Sequence, residues 1–550
     1  MKSLYIYPTY LLEPLVTGMH NISPNLLSKP SVTMVLLDVP ELSLASTGAF
    51  LFIATISTLI LRIFYNLYLH PLSKYHGPWY AASFSLCSAI ISVLGLEPHW
   101  LLYLAKKYGF EKPIRIAPSL LLFPQSKAVK DIYWDSKCNN KAPLYGSGAL
   151  GPPHLFSTID GSVHKSLRKA LSGPSVWSVG GLKNNWESRI DDHIQLFVQR
   201  MTEFAEKNQA VILSDKVAEF AADIMTLVCF TNPWGFVDNS RDERNMLKSW
   251  REGLVFFGFA GRFRFFRDVI LKGSLGKYFL PETSDDNGMG YLMRQADREV
   301  SGREQRMSQE GFSQERPDFL QLCLEARMDG KPLTAMQKRA HVTLLIQAGA
   351  DTTGTALGST IRFLLTHPSV FARVRAELAA ASDAKLLSTP IQFEETRTHL
   401  PYFVACIKES LRLHPPATNL FGRVAPSPDG KVVDGTWVPA GTEITSNSYV
   451  VQRDPHLYAP DPEAYRPERW LEDEGNSKEH ISEMDASAFV FGVGPRVCLG
   501  KDLAIMELYK LLPEVFRQFD FDMKEEGEFV VVGGIAYNER FVVQLKPRKE

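Results

Sequence analysis

The chain has 550 residues, of which 45% are hydrophobic and 11% are aromatic, which is enough for a large buried core. Sixty basic residues stand against sixty-one acidic ones, so the formal charge is −1 and nothing predicts nucleic-acid binding. The six cysteines are dispersed without a Cys-x-x-Cys pair, which argues against a zinc site and a dense disulfide framework. A reducing compartment fits this cysteine usage, and the length allows either several domains or one large domain.

The first 41 residues are predicted to be a loosely ordered N-terminal extension, because prolines recur in them at short intervals. Asn21 begins an Asn-Ile-Ser tripeptide, which has the form of a glycosylation sequon. Pro24 follows it directly, and such tripeptides are common by chance, so the glycosylation of Asn21 stays open.

Residues 42–64 are predicted to be a transmembrane anchor. No charged residue occurs in this run before Arg62, and its length matches that of a helix that spans a bilayer. Asp38 and Glu41 precede the run and basic residues follow it, so the positive-inside rule predicts a single-pass protein with its C-terminal part in the cytosol. A cleaved signal peptide is the alternative, but the run lies far from Met1 and lacks a small-residue cleavage site.

Residues 65–80 are rich in proline and glycine, so we predict a hinge that leads into one domain over residues 81–550. Two apolar runs, 114–116 and 120–123, flank an Ala-Pro-Ser turn, which predicts a hairpin of a small sheet. Farther on, apolar residues recur at helical spacing, for example within residues 190–201. This pattern favours a mainly α domain with small β-sheets.

Residues 256–267 interleave phenylalanines with arginines. One interpretation places them at a membrane interface, where aromatic rings occupy the headgroup zone and arginines lie near lipid phosphate. The other interpretation is ordinary helix packing within the domain. The residues themselves favour neither.

A single long helix is predicted over residues 335–366, with Thr334 as its N-cap and a His-Pro pair at its end. Such a helix would be about 50 Å long and could cross the whole domain. In its middle, Asp351 and Thr352 follow Gly349 in apolar surroundings, where an acid is costly unless it has a task. Proton delivery is the task suggested, and the alternative is a threonine that bonds back to the helix and bends it.

Residues 491–500 form a loop that is broken by glycines and a proline and that carries Cys498. Apolar residues at helical spacing follow, so Cys498 lies where the loop enters a helix. Unpaired backbone N–H groups at a helix start can hydrogen-bond a thiolate and lower the pKa of the thiol. Cys498 is therefore a candidate axial ligand of iron, and a buried structural cysteine is the alternative.

The pattern Phe-x-x-Gly-x-Arg-x-Cys-x-Gly in this loop resembles the haem-binding loop of the cytochrome P450 family at all five named positions. The resemblance implies that Cys498 is the thiolate ligand of the iron of haem b. It also implies that Arg496 pairs with a haem propionate and that Phe491 shields the sulfur. Gly494 and Gly500 would supply a tight turn and a close approach of the backbone to the porphyrin.

Three further motifs of the family occur in the family's order. The sequence Ala-Gly-Ala-Asp-Thr-Thr at 348–353 matches its oxygen-handling helix, which implies that Asp351 relays protons and Thr352 bonds the bound oxygen. Glu409 and Arg412 lie three apart on one helix face and resemble the Glu-x-x-Arg pair. Arg469 supplies the second arginine of this network, whose implied role is to hold the cysteine loop in place.

The resemblance implies that two other arginines are candidate propionate ligands, by their position in the family. Arg423 follows a Pro-Pro turn at the expected interval, and Arg168 closes the sequence His-Lys-Ser-Leu-Arg. His164 stands where family members often carry Trp, and a solvated arginine is the alternative at both positions. Substrate-facing residues are expected within 144–156, at Ala348, and within 417–421 and 535–537.

The resemblance thus implies the cytochrome P450 fold, preceded by one transmembrane helix. The implied activity is a haem-thiolate monooxygenase that inserts one oxygen atom from O2 into a bulky, largely apolar substrate. The overall character is similar to that of fungal microsomal enzymes of the pisatin-demethylase type, which suggests secondary-metabolite biosynthesis of a terpenoid, polyketide or alkaloid.

The chain ends soon after Cys498 and leaves no space for a flavin domain. Electrons are therefore expected from a separate NADPH–cytochrome P450 reductase, with cytochrome b5 as a second donor, at the endoplasmic reticulum membrane. An O2-independent isomerase or dehydratase is an alternative, against which the intact Asp351-Thr352 pair argues. A non-catalytic haem-binding protein is the other.

Overall fold

The structure is a computed structural model that describes residues 44–309, 312–313 and 316–548, with side chains from residue 47 onward. The predicted extension over residues 1–41 and its Asn21 sequon lie outside the described residues. The chain divides into two units between Leu59 and Ile60, and all elements from the second helix onward belong to the larger unit.

The predicted N-terminal apolar helix is confirmed as helix α1, Leu44–Phe64, and a π-helical turn over Tyr65–Leu69 continues it. Within it, Thr47–Leu69 is long and apolar enough to cross a membrane, with a mean hydropathy of 1.9 and none of its most apolar stretch buried. By length and composition this helix is a candidate membrane span.

The larger unit is mainly helical, as predicted. Its α-helices in chain order are α2 (Trp79–Ser83), α3 (Leu86–Val93), α4 (Glu97–Tyr108), α5 (Ala128–Tyr133), α6 (Gly161–Leu171), α7 (Pro174–Trp177), α8 (Val179–Asn185), α9 (Glu187–Glu206), α10 (Leu213–Phe230), α11 (Phe236–Asn239), α12 (Met246–Arg262), α13 (Gly288–Met307), α14 (Phe319–Glu325), α15 (Ala335–Ala348), α16 (Ala350–Thr366), α17 (Pro368–Asp383), α18 (Phe393–His399), α19 (Pro401–Leu413), α20 (Ser448–Val451), α21 (Lys478–Ser487) and α22 (Lys501–Gln518). Several 3-10 turns lie between them, among them Pro467–Trp470 and Gly494–Arg496.

The strands of the larger unit form small sheets. Their strands are β1 (Ile114–Ala117), β2 (Leu120–Leu122), β3 (Ala210–Ile212), β4 (Arg327–Met328), β5 (Lys331–Pro332), β6 (Arg423–Val424), β7 (Lys431–Val433), β8 (Thr436–Val438), β9 (Glu443–Thr445), β10 (Phe519–Glu525), β11 (Glu528–Val532), β12 (Ile535–Glu539) and β13 (Val542–Pro547). The largest described sheet has the order β1-β2-β9-β6, and β10-β13-β3 form another. The predicted hairpin is confirmed, since β1 and β2 pair antiparallel with Ile114 opposite Leu122.

The prediction of one uninterrupted helix over residues 335–366 is wrong. Thr334 does cap it, because its side chain accepts a hydrogen bond from the Gln337 N–H. The helix breaks at Gly349, however, where the Thr352 hydroxyl donates to the Ala348 carbonyl at 2.8 Å and the next main-chain bond stretches to 3.4 Å. This back-bond to the helix is the alternative that the sequence left open.

Helix α10 is buried along its length and packs against α16 at the centre of the domain. A Cβ at Gly354 would lie 2.7 Å from the Ala218 Cα, so the two helices can approach this closely only with glycine there. A Cβ at Gly349 would lie 1.9 Å from the Met225 Cε, which places α10 directly against the helix break.

The arginines of residues 256–267 are paired with other groups of the domain. The buried Arg262 makes two hydrogen bonds to Glu97 at 2.7 and 2.6 Å. The buried Arg267 donates to the Gly261 carbonyl, and Arg264 pairs with Glu443 at 2.8 Å. These contacts favour the helix-packing interpretation for the three arginines.

Candidate active site

A cavity of about 290 Å³ lies between the Cys498 loop and the helix break at Gly349. Residues of both contribute to its wall, and most of the other wall residues are apolar. Each of the four segments predicted to face substrate places residues there, namely Leu155, Phe156, Ala348, Ala417, Phe421 and Ile535. The cavity therefore suits a largely apolar molecule.

The Cys498 loop is shaped by backbone bonds and by glycine. The Cys498 N–H donates to the Phe491 carbonyl at 2.8 Å, and α22 begins three residues after the cysteine. Gly494 has a φ of +68°, and a Cβ there would lie 2.3 Å from the Tyr133 carbonyl oxygen, so a side chain cannot be accommodated. The loop thereby presents the accessible Cys498 at the cavity wall.

Two opposing effects act on the pKa of Cys498, whose side chain is open to the cavity but enclosed by the domain. Enclosure by the domain raises the pKa of the Cys498 thiol above its ordinary value, while the Gly500 N–H and the charge of Arg168 act to lower it. The helix start therefore acts in the predicted direction but is outweighed by desolvation.

Phe491 and Gly500 both line the cavity. Gly500 has a φ of −88°, which any residue can adopt, so the turn itself does not require glycine at this position. A Cβ there would meet only the Trp177 ring, at 4.0 Å. The absence of a side chain at Gly500 thus keeps free the space inside the cavity.

Four cations line one side of the cavity. Three are the predicted arginines: Arg168 donates to the Val497 carbonyl at 2.6 Å, Arg423 to the Phe421 carbonyl at 3.1 Å, and Arg496 to carbonyls of residues 139 and 158–160. The fourth, Lys141, was not predicted. It stands directly before the apolar residues 142–145 and belongs to no motif in the sequence.

Within the described part of the chain, none of these four cations forms an ion pair with a carboxylate. Burial, followed by repulsion from Arg423, lowers the pKa of Arg496 to about 9. Burial and the same arginines lower the pKa of Lys141 well below its ordinary value. Such a cluster is costly unless an anion joins it, and the two propionates of a haem would supply that charge. The residues therefore fit the group that the Cys498 loop predicts.

His164 adds a neutral donor to this cluster. It is 3% exposed and lines the cavity, and its Nδ1 has no hydrogen-bond partner among the described residues. Burial, together with Arg496, lowers the pKa of His164 to about 3, so the ring stays neutral. An unpartnered ring nitrogen at this place can bond a carboxylate oxygen.

The two residues predicted for proton delivery are neighbours in α16 but have different surroundings. Thr352 lines the cavity, whereas Asp351 does not contribute to its described wall. The Asp351 carboxylate accepts two hydrogen bonds from Arg251 of α12, at 2.7 and 3.1 Å. Arg251 was missed because it lies one hundred residues earlier and belongs to no motif.

The structure brings Glu409, Arg412 and Arg469 together. Arg412 donates twice to Glu409 at 2.8 Å, and Arg469 donates once at 3.0 Å. The Trp470 indole and the Arg466 backbone N–H also bond this carboxylate, at 3.0 and 2.9 Å. Although burial would raise it, the pKa of Glu409 is lowered, because Arg412 is bonded to it.

Glu507 is a second acid at the cavity that the sequence motifs do not include. It is 2% exposed, and its Oε2 has no partner among the described residues. Burial raises the pKa of Glu507 well above its ordinary value, which favours the protonated form. Its position on the apolar face shared with Leu503 and Leu511 is the sequence signal that could have identified it.

A loop cysteine, a cluster of cations and a threonine at a helix break, all around one apolar cavity, define a thiolate–haem protein. The sequence model of the family Cytochrome P450 matches residues 129–532. The chain therefore belongs to the cytochrome P450 family, whose members are haem-thiolate oxidoreductases.

Curated relatives agree with this family. The chain is 29% identical over 463 residues to quiannulatic acid synthase of Emericella variicolor, covering 82% of this chain and 87% of the relative. It is 28% identical to the cytochrome P450 monooxygenase gsfF of Penicillium aethiopicum, covering 90% and 97% of the two chains. It is 26% identical to pisatin demethylase of Fusarium vanettenii, covering 74% and 78%. The predicted similarity to fungal monooxygenases of the pisatin-demethylase type is thereby confirmed.

Proposed function

We propose that this chain is a monooxygenase that inserts one atom of O2 into a largely apolar product of fungal secondary metabolism. One observation carries the proposal: Cys498 and Thr352 line the same apolar cavity, and an unpaired cation cluster lines that cavity too. The balanced reaction is RH + O2 + NADPH + H+ giving ROH + H2O + NADP+.

The proposed cofactor is haem b, held by Cys498 as the thiolate ligand. The cations Arg168, Arg423 and Arg496, with Lys141, would pair with its two propionates. When bound, the haem supplies the iron at which O2 is activated. Gly500 leaves space for the macrocycle, because no atom of the chain would contact a Cβ there more closely than 4.0 Å.

Other residues in and near the cavity wall would deliver protons and exclude water. The Thr352 hydroxyl is held by the Ala348 carbonyl and can bond an oxygen atom in the cavity. Asp351 is the acid that would replenish protons from solvent. The apolar wall, including Leu155 and Phe156, excludes bulk water and so limits the loss of reducing equivalents to peroxide.

Electrons would come from a separate NADPH–cytochrome P450 reductase, with cytochrome b5 as a second donor. Helix α1 would anchor the chain in the endoplasmic reticulum membrane as a single span, with the haem domain in the cytosol. The apolar length of α1 and the charges that flank it support this topology.

The names of the relatives bear on the substrate class. One relative is named for quiannulatic acid and another for the demethylation of pisatin. A bulky apolar substrate, such as a terpenoid, polyketide or alkaloid, also fits the composition of the cavity wall.

The test uses the full-length protein in membranes with a fungal reductase, a panel of terpenoids and polyketides, and isotope-labelled O2. The expected result is a product that forms only with NADPH and O2 and carries the label. Conversion without NADPH and O2 would instead identify an isomerase or dehydratase. Tight ligand binding with no turnover across the panel would identify a haem-binding protein.

A further inference from the structure

A carboxamide lies in a mostly apolar part of the cavity wall. Gln347 of α15 is 2% exposed and lines the cavity one residue before Ala348. Its neighbours in the wall on the same helix include Leu344 and Leu345. An amide buried among apolar side chains is costly unless its donors and its acceptor are paired. Gln347 is therefore a residue whose hydrogen-bond partners must be accounted for.

The protein satisfies this amide only in part. Within the described part of the chain, the Gln347 side chain makes a single hydrogen bond, from Nε2 to the Sδ of Met289 in α13 at 2.7 Å. A thioether sulfur is a weak acceptor, and Oε1 accepts no hydrogen bond from any described residue. Most of the hydrogen-bonding capacity of the amide is therefore available at the cavity wall.

A second unpaired polar group belongs to the same wall. Trp250 of α12 is 7% exposed and lines the cavity, and its indole N–H has no partner among the described residues. A Cβ at Gly253, one helical turn after Trp250, would lie 2.6 Å from the Cε of Met289, the residue that Gln347 contacts. The amide and the indole are therefore carried by helices that meet at Met289.

A hydroxyl group matches these two side chains. It can donate to the amide oxygen of Gln347 and accept from the indole N–H of Trp250. It also pairs with the amide if the oxygen and nitrogen of Gln347 are interchanged, since it then accepts from Nε2. A hydrocarbon pairs with neither group, and a carbonyl can only accept.

We propose that Gln347, assisted by Trp250, is a specificity-determining residue that binds a hydroxyl group of the substrate. The substrate is then an apolar molecule that already carries a hydroxyl, and the site holds this group so that a different carbon is oxidised. This inference rests on the proposed monooxygenase function and narrows its substrate class.

The test measures ligand binding to full-length, haem-loaded protein in lipid nanodiscs, by the shift of the Soret band and by calorimetry. Two pairs of probes differ by one hydroxyl group, namely cedrol with cedrane and dodecanol with dodecane. The measured quantity is the dissociation constant of the hydrocarbon divided by that of the alcohol. Partition of the probes into lipid cancels when this ratio is compared between variants.

Three variants are compared with wild type. Gln347→Met keeps the length of the side chain and removes the amide, and Trp250→Phe removes the indole N–H. Gln295→Met is the matched control. Gln295 is also a buried glutamine, at 1% exposure and with both amide atoms unpaired among the described residues, but it is not part of the described cavity wall.

For Gln347→Met we expect the ratio to fall about fivefold or more, because the alcohol loses a hydrogen bond and the hydrocarbon loses none. Trp250→Phe should lower the ratio about twofold, since one donor is removed. Gln295→Met should keep the wild-type ratio. A general loss of packing would weaken the binding of both probes and leave the ratio unchanged, so it cannot imitate the expected result.

The second readout is the position of oxidation. With a reductase and NADPH, we expect wild type to oxidise dodecanol at fewer carbons than dodecane, because the bound hydroxyl fixes one end of the chain. Gln347→Met should give the broader product mixture from both probes. Mass spectrometry of the products measures it.

Three results would overturn the proposal. They are an unchanged ratio in Gln347→Met, an equal fall of the ratio in Gln295→Met, and failure of wild type to bind either alcohol. Failure of the proposed function looks different, because wild type would then form no NADPH-dependent product while the two dissociation constants can still be measured.

Discussion

Two buried carboxylates of this domain are held very differently. Glu409 accepts five hydrogen bonds, from two arginines, an indole and a backbone N–H. Asp351 accepts two, both from Arg251. Both side chains are almost completely buried, at 0% and 1% exposure. Glu409 is therefore held by residues of several elements, whereas Asp351 is held by one partly exposed partner.

The largest effect is expected at Glu409. Replacement by Ala leaves Arg412 and Arg469 buried without their counter-charge, so we expect a loss of about 3 to 5 kcal/mol in the free energy of unfolding. Thermal unfolding and haem content measure it. If Glu409→Ala were as stable as Asp351→Asn, the distinction between the two carboxylates would be wrong.

Asp351→Asn should mainly affect catalysis. We expect NADPH-supported turnover to fall roughly a hundredfold, because general acid catalysis is removed. The unfolding temperature should change less than in Glu409→Ala, since the remaining partner, Arg251, reaches solvent. Turnover with an identified substrate and a parallel melting curve check both parts, and an unchanged turnover would contradict the assignment.

Glu507 extends the comparison to a buried acid whose Oε2 has no donor among the described residues. Its pKa is raised in the folded state, so the unfolded chain loses a proton that the folded chain keeps as the pH rises. Stability is therefore lost with increasing pH, and Glu507→Gln removes this loss. As the pH rises above the ordinary value of 4.5, the free energy of unfolding of the variant should increase relative to that of wild type, by at most about 1.4 kcal/mol per pH unit, and measurements across this range check it. A constant difference in the free energy of unfolding across this range would show that Glu507 is not neutral.

The smallest effect is expected next to Glu409 in the sequence. Lys408 pairs with Asp485 at 2.8 Å, but the two side chains are 35% and 47% exposed. Lys408→Gln should therefore change the free energy of unfolding by less than about 0.5 kcal/mol. Urea denaturation of Lys408→Gln and Glu409→Ala compares a buried ion pair with an exposed one at neighbouring positions. Equal losses in the free energy of unfolding would show that burial does not determine the effect.

The local motifs could be interpreted from the sequence because each gathers its residues within a few positions. The Cys498 loop, the Thr334 cap and the hairpin near residue 117 are of this kind. Side chains that meet across the fold were missed, because no spacing rule links Arg251 to Asp351 or Lys141 to Arg423. Arg262 was open to two interpretations for the same reason, since its partner Glu97 lies far away in the chain.

The helix break at Gly349 shows a second limit of prediction from sequence. Periodicity predicts helix on both sides of Gly349, and it cannot show that the Thr352 hydroxyl takes over the Ala348 carbonyl. The opposing effect of desolvation on the pKa of Cys498 could not be predicted either, because it depends on the whole surrounding fold rather than on the helix start.

The most direct test of the central claim is the carbon monoxide difference spectrum of the reduced, haem-loaded protein, recorded for wild type and Cys498→Ser. We predict a strongly red-shifted Soret band for wild type that is lost in the variant, because only thiolate ligation produces it. A wild-type protein that binds haem without that band would show that Cys498 is not the axial thiolate, and the proposed function would be wrong.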